Sequence, residues 1–344
     1  MGKGISNVMA AIVMIVIAVV AGISGYFSYG VAHPPPTPAP KLGQGLNIWF
    51  IGGASSDPFN AELYNGAKAA ADQLGVNLHY VTTGWDPQRM LTGMSDAIAA
   101  NASGIVMNGE PGPAAIAPLL QQAYSKGIEV TFANVPDPNA TAQYSLQGSG
   151  YVGQSLCAAG TALAQQTIKQ FNIPAGVVVA IFSATWNTPT RSERAVCAEN
   201  AFKANGDITF EVVHPESVYG DPSSGVPYVT GFYDAHPNVK VMIFDGGGTT
   251  AAAETYMKAI GVAPGQIIVA GFDMTPGALT AIEDGYLQLV ITQQPWLQGY
   301  LSVVNLVLSL KYKFTGLQIN TGGGFVSAAN VKEVAPLVSQ GICC

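Results

Sequence analysis

Charged side chains are scarce in this chain: Asp, Glu, Lys and Arg make up 10% of its 344 residues, against roughly 25% in ordinary soluble proteins. The few present lean acidic, 14 Lys and Arg against 21 Asp and Glu, for a net charge of −7. That balance excludes a protein that tracks nucleic-acid phosphates. With few carboxylates to protonate, the surface loses little in acid, and an acidic external medium is expected. His33, His79, His214 and His236 are too scattered to share metal-ligand spacing, so neither a metal nor another cofactor is expected. No H-E-x-x-H, G-x-S-x-G or cysteine–histidine nucleophile context occurs, and no enzyme chemistry is expected. The first cysteine is Cys157, far from any lipid-attachment position, which excludes a bacterial lipoprotein.

The longest gap in charge runs from Lys3 to Lys41. Ile5 to Ala32 is almost wholly apolar or small, and His33-Pro34-Pro35-Pro36-Thr37-Pro38-Ala39-Pro40 follows. At about 1.5 Å per helical residue the apolar run is long enough for a bilayer of about 30 Å, and longer than the core of a cleaved secretory signal. Proline cannot continue the helix and makes a stiff, extended spacer. Residues 1–32 are therefore expected to form a membrane-anchoring helix and 33–45 a linker. The single flanking cation, before the span, places the rest outside the cytoplasm. Lys3-Gly4-Ile5-Ser6 resembles the class III, prepilin-like signals of archaeal pilins, archaellins and some solute-binding proteins. That resemblance implies cleavage after Gly4 with the helix retained at the cell surface. A plain anchor without cleavage remains the alternative.

From Leu46 onward short apolar runs alternate with helical patterns. Strands are expected at 46–51, 76–81, 104–107 and 129–132, with helices at 60–74, 87–100 and 114–126 between them. The alternation restarts past Gly150, with strands at 176–182, 209–213, 239–244 and 266–271. Near-continuous apolar strands separated by helices imply parallel sheets covered on both faces. The expected fold is α/β: two doubly wound lobes joined by a hinge, residues 46–147 with 294–318 and residues 148–293 with 319–344. Ligands in such sheets bind outside the carboxyl ends of the strands, here in the cleft between lobes. Cys157 and Cys197 lie on predicted helices, as a disulfide or as two buried thiols. Asn101-Ala102-Ser103 and Asn139-Ala140-Thr141 match the glycosylation sequon.

Gly148-Ser149-Gly150-Tyr151-Val152-Gly153 fits G-x-G-x-x-G, but no Asp or Glu occurs between Gly153 and Glu193. Without an acid for the ribose the segment is read as a crossover between lobes followed by a close-packed helix. Polar and aromatic residues do collect at strand ends: Asp57, Phe59, Asn134, Trp186, Arg191, Asp245, Asp273 and Gln293. A polyol needs this mixture. Planar rings cover its C–H faces, while carboxylates, amides and guanidinium groups bond its hydroxyls.

Ser56-Asp57-Pro58-Phe59, Gly271-Phe272-Asp273-Met274-Thr275-Pro276, Ala281-Ile282-Glu283-Asp284-Gly285 and Ile291-Thr292-Gln293-Gln294-Pro295 together carry a second resemblance. Residues 46 to about 320 resemble type I periplasmic binding proteins of the ribose-binding branch, the sugar-capturing components of ABC importers. The resemblance implies that Phe59 stacks on a monosaccharide while Asp57, Asp273 and Gln293 bind its hydroxyls. It places Arg191, with Arg194 as the neighbouring alternative, at a sugar-binding arginine, and Tyr219 near a family aromatic. Three positions depart from the pattern: Asn134-Val135 replaces an Asp-Arg pair, Asn60 a second aromatic, and Gly246-Gly247 an Asn-Asp pair. An ABC permease is the implied partner. The rival readings are a subunit that self-assembles through the helix into a pilin-like filament or array, and an enzyme or sensor built on the same lobes.

Overall fold

The computed structural model of the chain describes residues 7–32 and 39–342, so Gly4, His33, the first prolines of the linker and Cys343-Cys344 lie outside the described residues. Residues 1–40 and 41–344 form two separate compact units. In the first, the apolar run forms helix α1, Asn7–Ala32. Of its side chains Met9 and those of residues 14–26 are described, and these are exposed. Among the described residues no helix is long and apolar enough to cross a membrane.

The second unit opens with the expected alternation. In chain order come β1 (Asn47–Gly52), α2 (Pro58–Leu74), β2 (Asn77–Thr82), α3 (Pro87–Ala99), β3 (Gly104–Asn108), α4 (Pro113–Ser125), β4 (Glu129–Ala133), α5 (Pro138–Tyr144) and β5 (Tyr151–Gly153). The chain then crosses to α6 (Leu156–Gln170), β6 (Val178–Ser183), α7 (Glu193–Ala204), β7 (Ile208–Val213), α8 (Ser217–Gly220), α9 (Val226–Ala235) and β8 (Val239–Phe244). Next are α10 (Gly247–Ala251), α11 (Ala253–Ala259), β9 (Ile268–Phe272), α12 (Pro276–Glu283) and β10 (Leu289–Ile291). It closes with α13 (Pro295–Tyr312), β11 (Gln318–Asn320), β12 (Phe325–Val326) and α14 (Val331–Val338).

Local chemistry sets many helix starts. Asp57, Asp86 and Asp137 each accept a bond from a first-turn N–H, and each is followed by proline. A side-chain acceptor satisfies one orphan donor, and proline at the first helical position loses no bond. Thr275-Pro276 repeats the device with a hydroxyl.

The strands form two six-stranded sheets, β11-β5-β4-β3-β1-β2 and β12-β10-β9-β8-β6-β7. Their common part is the 2-1-3-4-5 order of a doubly wound sheet, which reverses between the first and third strands and opens a crevice there. Every pairing is parallel except β10 with β12. β3 and β4 are buried throughout, as are β6, β10 and all but one residue of β8. That is why these strands read as near-continuous apolar runs rather than as alternating ones. Edge strands β2 and β7 are half-exposed.

The expected lobe boundary at Gly148 is corrected by the pairing. Tyr151–Gly153 sits between β4 and β11 in the first sheet, so the crossing follows Gly153 and Gln318–Asn320 also belongs to lobe 1. The glycine-rich segment read as a crossover is thus partly a strand. It is too short, and too rich in glycine, to show a period of its own.

Three segments join the lobes, after β5, β10 and β11, and hydrogen bonds tie them together. Gln154 Nε2 donates to the Thr292 carbonyl at 3.1 Å and Thr321 Oγ1 to the Gln293 carbonyl at 2.8 Å. In lobe 1, α13 packs on α2 through glycine: a Cβ on Gly66 would lie 1.9 Å from the Trp296 carbonyl oxygen, and one on Gly299 at the same distance from that of Leu63. In lobe 2, Cys157 and Cys197 form a disulfide that clamps α6 to α7.

Candidate functional site

Loops at the carboxyl ends of both sheets meet around a cavity. From lobe 1, the turn after β1 supplies Asp57 and Phe59, that after β2 Trp85, that after β3 Glu110 and that after β4 Asn134. Lobe 2 supplies Arg191 and Arg194 after β6, Tyr219 after β7, Gly246 and Gly247 after β8, and Asp273 after β9. Gln293 comes from the hinge strand after β10.

Asp57 has two duties before any ligand arrives. Its Oδ1 caps α2, accepting from the Phe59 amide at 3.0 Å, and its Oδ2 accepts from Trp85 Nε1 at 2.8 Å. The indole is thereby set beside Phe59, ring centroids 5.9 Å apart. Burial pushes the Asp57 carboxyl up to about 7, against the lowering effect of the indole bond. Glu62, buried on the same helix, is pushed to about 9 by burial and then by the charges of Asp273 and Asp57.

Arg191 and Arg194 converge on Asp245. Arg191 Nη1 lies 3.1 Å from Asp245 Oδ2, Arg194 Nε lies 2.6 Å from Oδ1, and Ser183 Oγ donates to Oδ2 at 2.7 Å. Both guanidinium groups also donate to the Asp245 carbonyl, at 3.0 and 2.6 Å. Arg194 further stacks over Phe272, 4.0 Å from the ring centroid. Burial would raise the Asp245 carboxyl, but the two arginines outweigh it and hold it below its ordinary value. Across the cavity, Glu110 Oε1 stands 3.9 Å from Arg191 Nε. Burial pushes Glu110 up to about 7, partly offset by Arg191. Asp273 is pushed to about 6 by burial, offset in part by Arg194.

Backbone strain marks the same region. Trp85, Asn134, Thr190, Asp273 and Gln294 are non-glycine residues with φ between 54° and 72°. Left-handed conformations cost about 1–3 kcal/mol each and persist where the surroundings over-determine them. Asn134 is held through its carbonyl, which accepts from Tyr151 OH at 2.7 Å, and Asp273 through its amide, which donates to the Ile291 carbonyl at 3.2 Å.

Of the residues expected at the site, Asp57, Phe59, Asn134, Arg191, Tyr219, Asp273 and Gln293 line the cavity. Two do not. Asp245 lies a layer deeper, wholly buried beneath the two arginines it pairs with. Trp186 turns its ring into the lobe 2 core, with its Nε1 buried and unpartnered. Sequence reasoning missed Trp85 and Glu110, and held Arg194 only as an alternative to Arg191. The strand-end rule would have reached Glu110, two residues past β3, and Trp85, three past β2. Asn101 and Asn139 are exposed and distant from the cavity lining. Among the described residues no group of three or more His, Cys, Asp or Glu is placed to hold a metal ion.

Known proteins share this architecture. Residues 48–313 match the family described as periplasmic binding protein domain. The chain is 30% identical over 327 residues to the xylose/arabinose-binding protein XylF of Sulfolobus acidocaldarius, covering 90% of this chain and 78% of the relative. To the ribose import binding protein RbsB of Bacillus subtilis it is 21% identical, covering 83% of this chain and 90% of that one. A crystal structure of a carbohydrate transporter from Acidothermus cellulolyticus in complex with myo-inositol superposes with a TM-score of 0.73 at 26% identity, covering 86% of this chain and 99% of that one.

Proposed function

The chain belongs to the periplasmic binding protein family, and from that premise we propose that it captures a monosaccharide between its lobes and hands it to an ABC importer. One observation carries the reading. Asp273 Oδ1 is buried on the cavity without a hydrogen-bond partner, beside aromatic residues from both lobes. A buried acceptor left unpaired costs about 1–3 kcal/mol, and a sugar hydroxyl would satisfy it. Phe59 and Trp85 from lobe 1 and Tyr219 from lobe 2 offer faces for the C–H surface of a pyranose or furanose. The xylose/arabinose-binding and ribose-binding relatives support the same cargo class.

On this reading Asp57, Phe59, Asn134, Arg191, Tyr219, Asp273 and Gln293 hold the sugar. The contacts come from both lobes, so only a closed arrangement supplies all of them, and the ligand shifts the population towards closure. The closed form docks on a permease. The apolar run of residues 5–32 tethers the receptor outside the cell, with cleavage after Gly4. Fractionation of cells carrying the chain with and without residues 1–40 tests the tether, and mass spectrometry of the mature N-terminus tests the cleavage. Filaments on intact cells would favour the pilin-like alternative instead.

Titration calorimetry of Asp273→Ala tests the site. Removing a buried, charged partner of a sugar hydroxyl should cost about 1.5–3 kcal/mol, roughly 10- to 150-fold in affinity. Unchanged affinity would refute the assignment. Turnover of the bound sugar would replace the receptor with an enzyme.

A further inference from the structure

Glu110 holds a place that the sugar reading does not yet use. It lies at the switch point of the first sheet, where β3 and β1 diverge. Its loop is fastened on several sides. The Glu110 amide donates to Asn108 Oδ1 at 3.2 Å, and the Gly109 amide to the Val135 carbonyl at 3.0 Å. A Cβ on Gly109 would lie 2.5 Å from that same carbonyl, so the loop packs flat against its neighbour. The side chain, 4% exposed, lines the cavity.

Its carboxylate is not held by a hydrogen-bonded ion pair. Arg191 already bonds Asp245 at 3.1 Å, whereas Glu110 Oε1 stands 3.9 Å away, beyond hydrogen-bond length. Glu110 Oε2 is buried with no partner. Two lobes therefore each bring one unpaired carboxylate oxygen to one cavity, Glu110 Oε2 and Asp273 Oδ1.

We propose that Glu110 is a specificity-determining residue that accepts a ligand hydroxyl from the first lobe, so that the site takes neutral polyols with donors on both sides and rejects acidic sugars. The proposal rests on the sugar reading. A neutral hydroxyl satisfies the oxygen. A carboxylate or phosphate at that position would face the ionised Glu110 in a buried site, and buried like charges are strongly disfavoured. Burial and the neighbouring charge of Glu216 favour the protonated form of Glu110 while Arg191 and Arg194 oppose them, which puts the carboxyl at about 7, so the rejection of acids belongs to pH above that value.

The test is calorimetry on the full chain in detergent with D-xylose, L-arabinose, D-ribose, myo-inositol and D-glucuronic acid, followed by single-deoxy forms of the tightest sugar. Wild type should bind one or more neutral ligands and refuse the uronic acid. Glu110→Ala should weaken the neutral ligand roughly 10- to 100-fold. One deoxy sugar should bind wild type as weakly, and Glu110→Ala should weaken that deoxy sugar no further. Glu110→Gln, which keeps the volume and serves if the alanine variant does not fold, should narrow the preference over the uronic acid at least tenfold. Affinities unchanged in both variants, or additive losses for every deoxy sugar, would overturn the role of Glu110 alone. Wild type that binds no sugar would overturn the sugar reading, and this role with it.

Discussion

Lobe 1 and lobe 2 repeat one strand order yet manage charge at the cleft in different ways. Lobe 1 presents Asp57 and Glu110 with no cation of its own among the cavity-lining residues, and both carboxyls are pushed up to about 7 by burial. Lobe 2 presents two arginines, and Asp245 beneath them accepts four hydrogen bonds, two at its carboxylate and two at its carbonyl. A buried charge is tolerable when it is paired and bonded, and otherwise moves its pKa instead. The second lobe is thus a prebuilt polar platform, while the first keeps acceptor capacity in reserve. The difference fits the proposed hinge closure, in which each half would stand alone in water when open.

The sharpest break in this comparison is Asp245→Ala. Two arginines would stay buried without their counter-charge, and lobe 2 should lose about 3–5 kcal/mol, read as a drop in the urea midpoint. Reducing the Cys157–Cys197 bridge, which closes a loop of 40 residues, should weaken the same lobe by about 2–4 kcal/mol in the same assay. Gly66→Leu strikes lobe 1 instead. Its side chain would enter the space held by the Trp296 carbonyl, and overpacking should cost about 1–3 kcal/mol.

Titration separates the lobes more gently. Asp57, Glu110 and Glu62 have folded-state pKa values raised above their ordinary ones. The folded form binds more protons than the unfolded one, so their contribution is complete below about pH 4 and is lost as pH rises towards and past 7. Asp245 acts in the opposite sense: lowered in the fold, it holds its contribution above its ordinary pKa and loses it in stronger acid. The ligand-free melting temperature should therefore rise as pH falls from about 8 to about 5. A monotonic fall over that range would contradict the assigned burial. The smallest effect belongs to Trp186→Phe, which should leave sugar affinity within about twofold because the ring lies in the core rather than on the cavity.

Much of this was legible before any coordinates. Strand ends such as Asp57, Asn134 and Asp273 follow buried apolar runs, and the topology sends every such end to one cleft. Position along the chain does not reveal depth, however. Asp245 sits at a strand end like Asp273 but faces the arginines from below, and Trp186 follows a strand yet packs inward. Glu110 and Trp85 were missed because the turns before them, Asn108-Gly109 and Thr83-Gly84, look like ordinary loops. Strands β5 and β11, three residues each, carry no period, and only pairing with their neighbours defines them.

One small polyol is expected to sit in the cavity and touch both lobes. A crystal structure of the chain with its tightest sugar tests it directly. The ring is expected between Phe59 and Tyr219, with hydroxyls within about 3.2 Å of Glu110 Oε2 and Asp273 Oδ1. A sugar bound to one lobe alone, or lodged outside this cavity, would contradict it.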